Sequence, residues 1–539
     1  MTDITIVYAI LAGAVLLFVT GRVPVGLVAI GVALALWATG ILPLATALSG
    51  FGDPTVLFIA SLFVVSEGLD ATGVTAWAGA QLVERAGQGR ARLVLFTMLL
   101  VAALTAVISV NGAVAALLPV VVVIAVRTGR APSQLLMPLV FGAHAGSMLT
   151  LTGTPVNVIV STYAADITGR GFGFFEFALA GIPLMIGCTA VVLLLGPRLL
   201  PERRPKSMPA DLSRHARTLV EQYGLAGNEV AHGVAALDGD ATHVDLAAAL
   251  VGPSSGLAEV MVPPRSPLIG ETAFPGMVTE SGDSVVLAIQ RGGEELGPRE
   301  ARLAAGDTLL LQGTWNAIEA HAGDRRMLAV DAPELVRRQA VPMGPGAVRA
   351  LLILGGMIIA LATGIVPSAV AGLVAAGLLV LTRVLSPEAA YRGISWTTVV
   401  LVAGMIPLST AMTETGAAAL IADALVAVVG TMGPYALLAG LFIVTAVFGQ
   451  LISNMATALI VIPVAIAAAA DLGVDVRPVL MSVTIAASAA YLTPVATPVN
   501  LMVMGPAGYR FGDYWKLGLP LLGVTFVVAV FVVPLIWPL

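Results

Sequence analysis

The most constraining feature of this 539-residue sequence is an internal repeat with a constant spacing. Four polar or turn-forming blocks of the first half recur in the second half, each 343 residues later. The paired blocks begin at Thr20 and Thr363, Thr55 and Thr398, Asn111 and Asn454, and Thr154 and Thr497. A spacing kept across four separate blocks indicates a duplicated unit. It predicts that the two halves contain the same elements in the same order.

Composition decides the class of protein. Apolar residues make up 58% of the sequence, charged residues 11%, and the mean hydropathy is +0.97. Soluble domains are about a quarter charged, so this chain cannot cover a water-exposed surface of the usual kind. We predict an α-helical polytopic membrane protein with a first transmembrane repeat over 1–205, a polar insert over 206–340 and a second repeat over 341–539. The net charge of −5 gives no reason to expect a nucleic-acid partner.

The long apolar run 91–126 predicts a re-entrant hairpin. Its centre, Ser109-Val110-Asn111-Gly112, consists of turn formers, and polar backbone at that depth must be shielded from lipid. About five spanning helices then remain in each half, and an odd number makes the second repeat inverted relative to the first. If the insert is cytoplasmic, most basic residues beside the spans lie inside and only Arg170 and Arg477 outside. The expected location is therefore the cell membrane, plasma or inner, with the insert in the cytoplasm.

Each half also contains the motif Thr-Pro-Val-Asn inside an apolar run, at 154–157 and 497–500. Proline lacks an N–H group and clashes with the preceding turn, so each motif is expected to break its helix. The N-termini of half-helices bind anions, and carbonyl groups freed by a break suit a hard cation such as sodium. A single Thr-Pro is usually only a kink, but recurrence at matched positions favours a central anion site flanked by two cation sites.

Ser453-Asn454, followed by Thr457 and Pro463, and the two Thr-Pro-Val-Asn motifs resemble the divalent anion:sodium symporter family. That family includes sodium-coupled dicarboxylate and sulfate carriers. The resemblance implies a homodimer that carries a small anion with sodium by an elevator movement and uses no other cofactor. The implied substrate-binding residues are Asn111, Gly112, Thr154, Pro155, Asn157, Asn454, Met455, Thr497, Pro498 and Asn500. The implied sodium ligands are Asn111, Gly153, Ser453, Asn454 and Ala496.

The first tip departs from this family. It reads Val110-Asn111-Gly112 where the family has Ser-Asn-Thr, and the second tip has Met455 in the threonine position. We therefore expect cation binding to depend more on the second half. Whether the anion is sulfate, a dicarboxylate or a similar ion, and whether sodium or protons drive its transport, stay open.

His144 lies in the apolar run before the first Thr-Pro motif. An ionisable residue inside a membrane segment is costly to bury and is usually functional or hydrogen-bonded. Two roles are open for His144: a proton carrier near neutral pH, or a structural residue bonded within the helix bundle.

The insert contains three strand-like runs, 257–262, 284–289 and 308–311, which predict a small α/β module. Segments 266–270, 288–292 and 305–311 resemble the C-terminal module of potassium-channel regulator domains. The resemblance implies either an assembly module or a regulatory module with a small-molecule ligand. The segment 211–244 is a candidate for a degenerate second copy.

Three functions compete at this point. The repeats favour a secondary active transporter, the regulator-like insert is compatible with a ligand-gated channel or uniporter, and the altered tips with a sensor that no longer transports. The sequence contains no paired carboxylates, metal-ligand spacing or nucleophilic triad, so an enzyme is not expected.

Overall fold

The computed structural model describes residues 2–20, 22–75, 77–78, 81, 89–128, 130–203, 255–279, 284–292, 294–296, 300–315, 317–318, 326–330, 343–344, 346–429, 433–494 and 496–539. One compact unit comprises Met1–Leu69, Ala78–Pro209 and Arg349–Leu539, and the other comprises Asp70–Trp77 and Ala210–Val348. The expected domain boundaries at 205/206 and 340/341, and the candidate second copy at 211–244, lie outside the described residues.

The two halves share one order of helices, except that the second has an additional helix over Ala417–Val429. Its counterpart at the spacing of 343 would fall at 74–86, mostly outside the described residues. The first half contains α1 (Asp3–Thr20), α2 (Val25–Ala38), α3 (Pro54–Ala71), α4 (Arg90–Thr105), α5 (Val110–Arg127), α6 (Ser133–Gly146), α7 (Pro155–Thr168) and α8 (Ala178–Leu199). The second contains α9 (Ala347–Thr363), α10 (Ser368–Leu381), α11 (Trp396–Glu414), α12 (Ala417–Val429), α13 (Pro434–Leu451), α14 (Asn454–Leu472), α15 (Val476–Ala487), α16 (Pro498–Ala507) and α17 (Tyr514–Val527). Helix α17 continues through the π-helical segment Val528–Val532 into Val533–Ile536. The pairs α2 and α10, α6 and α15, and α7 and α16 each begin 343 residues apart, which confirms the repeat.

Many of these helices are apolar enough for a membrane. Within the described ranges, seven are long and apolar enough to cross one. They are Asp3–Thr20, Pro54–Ala71, Ala178–Leu199, Trp396–Glu414, Pro434–Leu451, Asn454–Leu472 and Phe511–Ile536. The expectation of a polytopic helical membrane protein is confirmed.

The last helices of the two repeats, α8 and α17, pack against each other and run in opposite directions. Arg203, just after α8, forms an ion pair with Asp513, just before α17 (Nη2 to Oδ1, 3.1 Å). At the other end, Trp537 donates from Nε1 to Oε1 of Glu176, just before α8 (3.0 Å). Equivalent helices that are antiparallel are what inverted repeats require.

A second relationship shows the same inversion. Gly404 packs on Ala29, and a Cβ on Gly404 would lie 2.6 Å from the Ala29 backbone. Gly372 packs on Ser61, where a Cβ would lie 2.1 Å from Oγ. Gly372 is the counterpart of Ala29, and Gly404 is the counterpart of Ser61, at the spacing of 343. The same close contact is therefore made twice with the roles of the repeats exchanged.

Helices α6 and α15 occupy the centre of the helical unit. Every residue of α6 is buried, as is every residue of α15 except Arg477. A helix that is apolar on all sides is stable only when other segments surround it, and α6 packs against α4, α5 and α8. A short segment follows each central helix and precedes its Thr-Pro-Val-Asn motif. The valine and asparagine of both motifs are buried, so the motifs also lie inside this unit.

The described part of the insert is a small sheet module. Its strands are β1 (Ser255–Met261), β2 (Thr272–Ala273), β3 (Ser284–Arg291), β4 (Glu294–Glu295), β5 (Ala301–Arg302), β6 (Thr308–Thr314) and β7 (Leu328–Ala329). An antiparallel sheet has the order β4-β3-β6-β1-β7, and β2 pairs separately with β5. The three expected strands are confirmed as β1, β3 and β6. The resemblance to potassium-channel regulator domains stays a prediction.

Candidate functional site

Each long apolar run is a pair of helices joined by a short tip. Residues 106–109 connect α4 to α5, and Ile452 and Ser453 connect α13 to α14. Ser109 Oγ accepts a hydrogen bond from the N–H of Gly112 (3.1 Å), and Ser453 Oγ accepts one from Ala456 (3.3 Å). The two serines are therefore equivalent N-caps. Since α13 and α14 are each long enough to cross a membrane, the re-entrant path stays a prediction.

The caps reveal a shift of one residue at the tips. Ser109 and Ser453 are 344 residues apart, and so are Pro119 and Pro463, the prolines inside α5 and α14. The repeat therefore has a spacing of 344 through this arm and returns to 343 at α6 and α15.

This shift changes which tip residues correspond. The structural counterpart of Asn454 is Val110, and the counterpart of Asn111 is Met455. The pairing of Asn111 with Asn454 was wrong by one residue. On a helix one residue is a rotation of about 100°, so the two asparagines point in different directions from their caps.

The second tip presents two enclosed oxygen atoms. Asn454 Oδ1 and Thr457 Oγ1 are buried and have no hydrogen-bond partner within the described chain. They are three residues apart, so they lie on the same face of the first turn of α14. Their counterparts at the first tip are Val110 and Ala113, which carry no side-chain oxygen. Asn111, one position further on, is exposed.

In each repeat, a short segment separates the central helix from the half-helix that the Thr-Pro-Val-Asn motif begins. We call these segments the first break (residues 147–154, between α6 and α7) and the second break (residues 488–497, between α15 and α16). Pro155 and Pro498 occupy the first helical turn, where the missing N–H group removes no helix bond. The prolines therefore start half-helices and do not kink a continuous one. The N–H groups of the first turns of α7 and α16 face the breaks.

The two threonines of the motifs are in extended conformation, half-buried, at the mouths of these half-helices. Neither Thr154 nor Thr497 caps its helix through its hydroxyl within the described residues. Both hydroxyls are therefore placed to bind something other than the helix they precede.

The asparagines of the motifs hold the breaks in shape. Asn157 Nδ2 donates to the carbonyls of Ser147 (2.9 Å) and Thr150 (2.8 Å). Asn500 Nδ2 donates to the carbonyls of Ala490 (2.7 Å) and Thr493 (2.8 Å). Both side chains are fully buried, and both of their amide donors are used. An amide oxygen does not attract an anion, so this geometry favours a structural role over the direct substrate contact that the sequence suggested.

The side-chain oxygens of these two asparagines have different surroundings. His144 Nε2 lies 3.2 Å from Asn500 Oδ1 and 3.4 Å from Thr497 Oγ1. Asn157 Oδ1, by contrast, is buried without a partner in the described chain. The counterpart of His144 in the second repeat is Ala487, which cannot donate a hydrogen bond.

Other bonds tie each break to the hairpin of its own repeat. In the second repeat, Gln450 accepts from the N–H of Leu492 (3.0 Å) and donates to the carbonyl of Ala489 (3.0 Å). In the first repeat, the hydroxyls of Thr150 and Thr152 donate to the carbonyl of Ala106. Sequence reasoning missed Gln450 and Thr150, and the available signal was a polar residue in the last apolar turn before a tip or inside a break.

The hairpins also contact the opposite repeat. Helix α5 packs against α16, and α14 packs against α7. Each hairpin therefore packs against the half-helix of the other repeat, and the expected meeting of the two tips with the two half-helix starts stays a prediction. Gly153 is confined by packing, because a Cβ would lie 2.1 Å from the Ser147 carbonyl oxygen, whereas its counterpart Ala496 carries a buried Cβ.

Within the described residues, no three His, Cys, Asp or Glu side chains group as a metal site would require. The oxygen atoms that the tips and breaks offer belong to amides, hydroxyls and carbonyls. Such ligands suit sodium and do not suit a transition metal.

Comparison with known proteins gives the family. The family model described as citrate transporter matches residues 15–486 and 434–538. The uncharacterized transporter YfbS of Escherichia coli (strain K12) is 32% identical over 99% of both chains. A putative sulfur deprivation response regulator of Chlamydomonas reinhardtii is 27% identical over 92% of this chain and 95% of that one. The probable sodium/sulfate cotransporter 3 of the same alga is 30% identical over 33% of this chain and 20% of its own length. The inverted repeats, the paired breaks and these matches agree: the chain is a multi-pass membrane transporter of the citrate transporter family.

Proposed function

We propose that this protein is a secondary active transporter that carries a small anion together with sodium, and that the cation binds at the second hairpin tip. The observation that carries this proposal is the pair of enclosed oxygens, Asn454 Oδ1 and Thr457 Oγ1, that have no partner in the described chain. Leaving a buried polar group unsatisfied costs about 1–3 kcal/mol, so a bound cation at this turn would remove a real penalty. The counterparts Val110 and Ala113 offer nothing comparable.

The proposed cation shell combines these side chains with backbone oxygens. Sodium requires several oxygen ligands, and Ser453 and the neighbouring break at Ala496 supply carbonyl groups near the start of a half-helix. Asn111 and Gly153, the corresponding ligands expected in the first repeat, form a weaker candidate because Asn111 is exposed and follows a valine.

The proposed anion site lies between the half-helix starts of α7 and α16. First-turn N–H groups and the helix dipoles favour negative charge there, and the hydroxyls of Thr154 and Thr497 are not engaged as caps. Pro155, Pro498, Gly112 and Met455 would line the remaining walls. Binding a cation nearby compensates the charge of the anion, which provides a physical reason for coupled transport.

The names of the family and of its relatives suggest which anions to test. The family model refers to citrate, and the relative that matches a third of this chain refers to sulfate. Both are compact oxyanions that a ring of N–H and O–H donors would bind. We propose further that the protein is a homodimer in the plasma or inner membrane, works by an elevator movement and holds its insert in the cytoplasm as a regulatory module.

A membrane sensor is the second candidate. It is favoured by the relative named as a sulfur deprivation response regulator, which matches 92% of this chain. A sensor would bind the anion tightly without moving it, whereas a transporter would accumulate it.

Uptake into proteoliposomes tests the proposal. Sulfate, phosphate, succinate and citrate are offered in turn, with a sodium gradient or a proton gradient imposed separately. We expect accumulation of at least one anion above its equilibrium level with an inward sodium gradient, and collapse when that gradient is dissipated. Flux that follows only the anion's own gradient would indicate a channel or uniporter, and binding without flux a sensor.

A further inference from the structure

The two breaks are equivalent by sequence but are not equally supported. Asn500 has every polar atom of its side chain engaged, because Nδ2 donates to Ala490 and Thr493 and Oδ1 faces His144 Nε2 at 3.2 Å. Asn157 has the same two donor bonds, yet its Oδ1 is enclosed without a partner in the described chain. The difference traces to a single position, His144 in α6 against Ala487 in α15.

The hydrogen bonds around Asn500 determine which nitrogen of the His144 ring carries a hydrogen. Both hydrogens on Asn500 Nδ2 are used by carbonyl groups, so its Oδ1 can only accept. His144 Nε2 must therefore carry a hydrogen and donate it. One hydrogen at Nε2 is enough for this bond, and a neutral ring supplies it. The ring edge packs against Tyr491, a residue of the second break, in a T-shaped contact with centroids 5.9 Å apart.

The bond reaches across the repeats. His144 belongs to the first repeat, while Asn500 and Thr497 belong to the second, and α6 packs against α16. Asn500 in turn closes the second break onto two of its carbonyl groups. A donor that fixes the Asn500 amide therefore also fixes the path of the backbone through residues 490–493.

We propose that His144 is a positioning residue: its Nε2–H locks Asn500 and keeps the second break in one shape, while the first break, lacking this lock, is the adaptable one. The rigid break adjoins the tip with the enclosed oxygens Asn454 Oδ1 and Thr457 Oγ1, where the proposed cation binds. The role of His144 is thus to donate a hydrogen bond, and it does not need to gain or lose a proton during transport. The effect on cation affinity rests on the proposed function, whereas the lock itself does not.

Hydrogen exchange on the purified full-length protein in lipid nanodiscs tests the lock without any substrate. The variants are His144→Ala, which removes the donor, and His144→Gln, which keeps an amide N–H donor that does not titrate. His144→Phe keeps the ring and removes the donor, and replaces His144→Ala if that variant is not recovered. Thr484→Val is the matched control, because it removes a buried hydroxyl of α15 that bonds only within its own helix.

We expect the amides of 489–493 to exchange about tenfold faster without the donor, which is the factor for losing one buried hydrogen bond. His144→Gln should restore slow exchange, and Thr484→Val should leave it unchanged. Amides of the first break should not change in any variant. Unchanged exchange at 489–493 in the donor-free variants, or exchange in His144→Gln as fast as in His144→Ala, would overturn the proposal.

A second readout connects the lock to transport. With sodium and whichever of the four anions is transported, the donor-free variants should raise the half-saturating sodium concentration about tenfold with little change in maximal rate. His144→Gln should keep the wild-type value and the wild-type pH profile. A flattened pH profile or lost uptake in His144→Gln would show that the imidazole exchanges protons and would refute the donor role. Failure of all transport would count against the proposed function alone, since exchange still decides the lock.

Discussion

Asn157 and Asn500 make the same pair of hydrogen bonds, each to the carbonyl groups seven and ten residues earlier in its own repeat. A helix that is interrupted inside a membrane leaves carbonyl groups with no water to bond, and each costs free energy if left unsatisfied. The two asparagine amides satisfy those carbonyls with side-chain N–H groups. This explains why Thr-Pro-Val-Asn ends in asparagine in both halves: threonine and proline begin the half-helix, and asparagine closes the gap behind it.

Replacing either asparagine by aspartate should therefore destabilise the protein. The change keeps the shape but replaces the donor Nδ2 with an oxygen that repels both carbonyls, at a cost of about 1–3 kcal/mol. We expect lower melting temperatures for Asn157→Asp and Asn500→Asp in detergent, and little change for the control Thr484→Val. Wild-type melting temperatures in both variants would show that these amides do not hold the breaks.

The contacts of Glu176, which lies just before α8, predict that the stability of the protein depends on pH. Its Oε1 accepts from Arg477 (2.5 Å) and Trp537 (3.0 Å), and its Oε2 accepts from the N–H of Gly173 (2.8 Å). Burial alone would raise the pKa of this carboxyl, but the hydrogen bonds from Gly173 and Trp537 and the charge of Arg477 together lower it below its ordinary value. A carboxylate with a lowered pKa contributes stability above the pKa of the unfolded chain, about 4.3, and loses it as the pH falls through the folded value.

The Glu176→Gln variant should therefore melt below wild type at pH 7, and the difference should shrink as the pH falls below about 4. Melting curves from pH 7 to pH 3.5 measure this. A difference that is constant with pH would mean that the charge of Glu176 does not matter.

Cysteine labelling tests the orientation. Cys188 is the single native cysteine, so a Cys188→Ala background has no thiol and should not label from either side. We expect Arg170→Cys in intact cells to react with a membrane-impermeant maleimide, and Lys516→Cys to react only after permeabilisation, since both side chains are exposed. The reverse pattern would place the insert outside the cell.

Removing the insert tests whether it is part of the transport site. A variant that lacks 211–331 behind a short linker should still bind substrate, because every proposed site residue lies in the helical unit. A change in transport rate or in oligomeric assembly would not contradict this prediction. Loss of binding by a correctly inserted deletion variant would show that the insert contributes to the site.

The sequence predicted those parts of the molecule that depend on local chemistry and on the repeat. The breaks at Thr154-Pro155 and Thr497-Pro498 follow from proline geometry, and the strands of the insert follow from their apolar runs. The one-residue shift at the tips was missed, because Asn111 and Asn454 match by letter at 343. Ser109 and Ser453 match at 344, and their role as caps, which sets the helix register, is visible only in the structure.

Contacts between residues far apart in the sequence could not be predicted either. His144 and Asn500 are separated by 356 positions, and nothing local in either segment indicates that they bond. The same holds for Gln450, whose amide supports a break some 40 residues away. Such bonds depend on how the two inverted repeats pack against each other. That packing cannot be derived from the local patterns of a single sequence.

Sodium activation kinetics distinguish the two tips as the place where the cation acts. The measurement is the sodium activation curve and the anion saturation curve of proteoliposome uptake, for wild type, Asn454→Ala and Asn111→Ala. Asn454→Ala removes one of the two enclosed oxygens, so it should flatten the sodium curve and abolish cation-dependent uptake. Asn111→Ala removes an exposed amide beside the anion site, so it should raise the half-saturating anion concentration and keep the sodium dependence. If Asn111→Ala abolishes the sodium dependence and Asn454→Ala retains it, the cation acts through the first tip and not through the second.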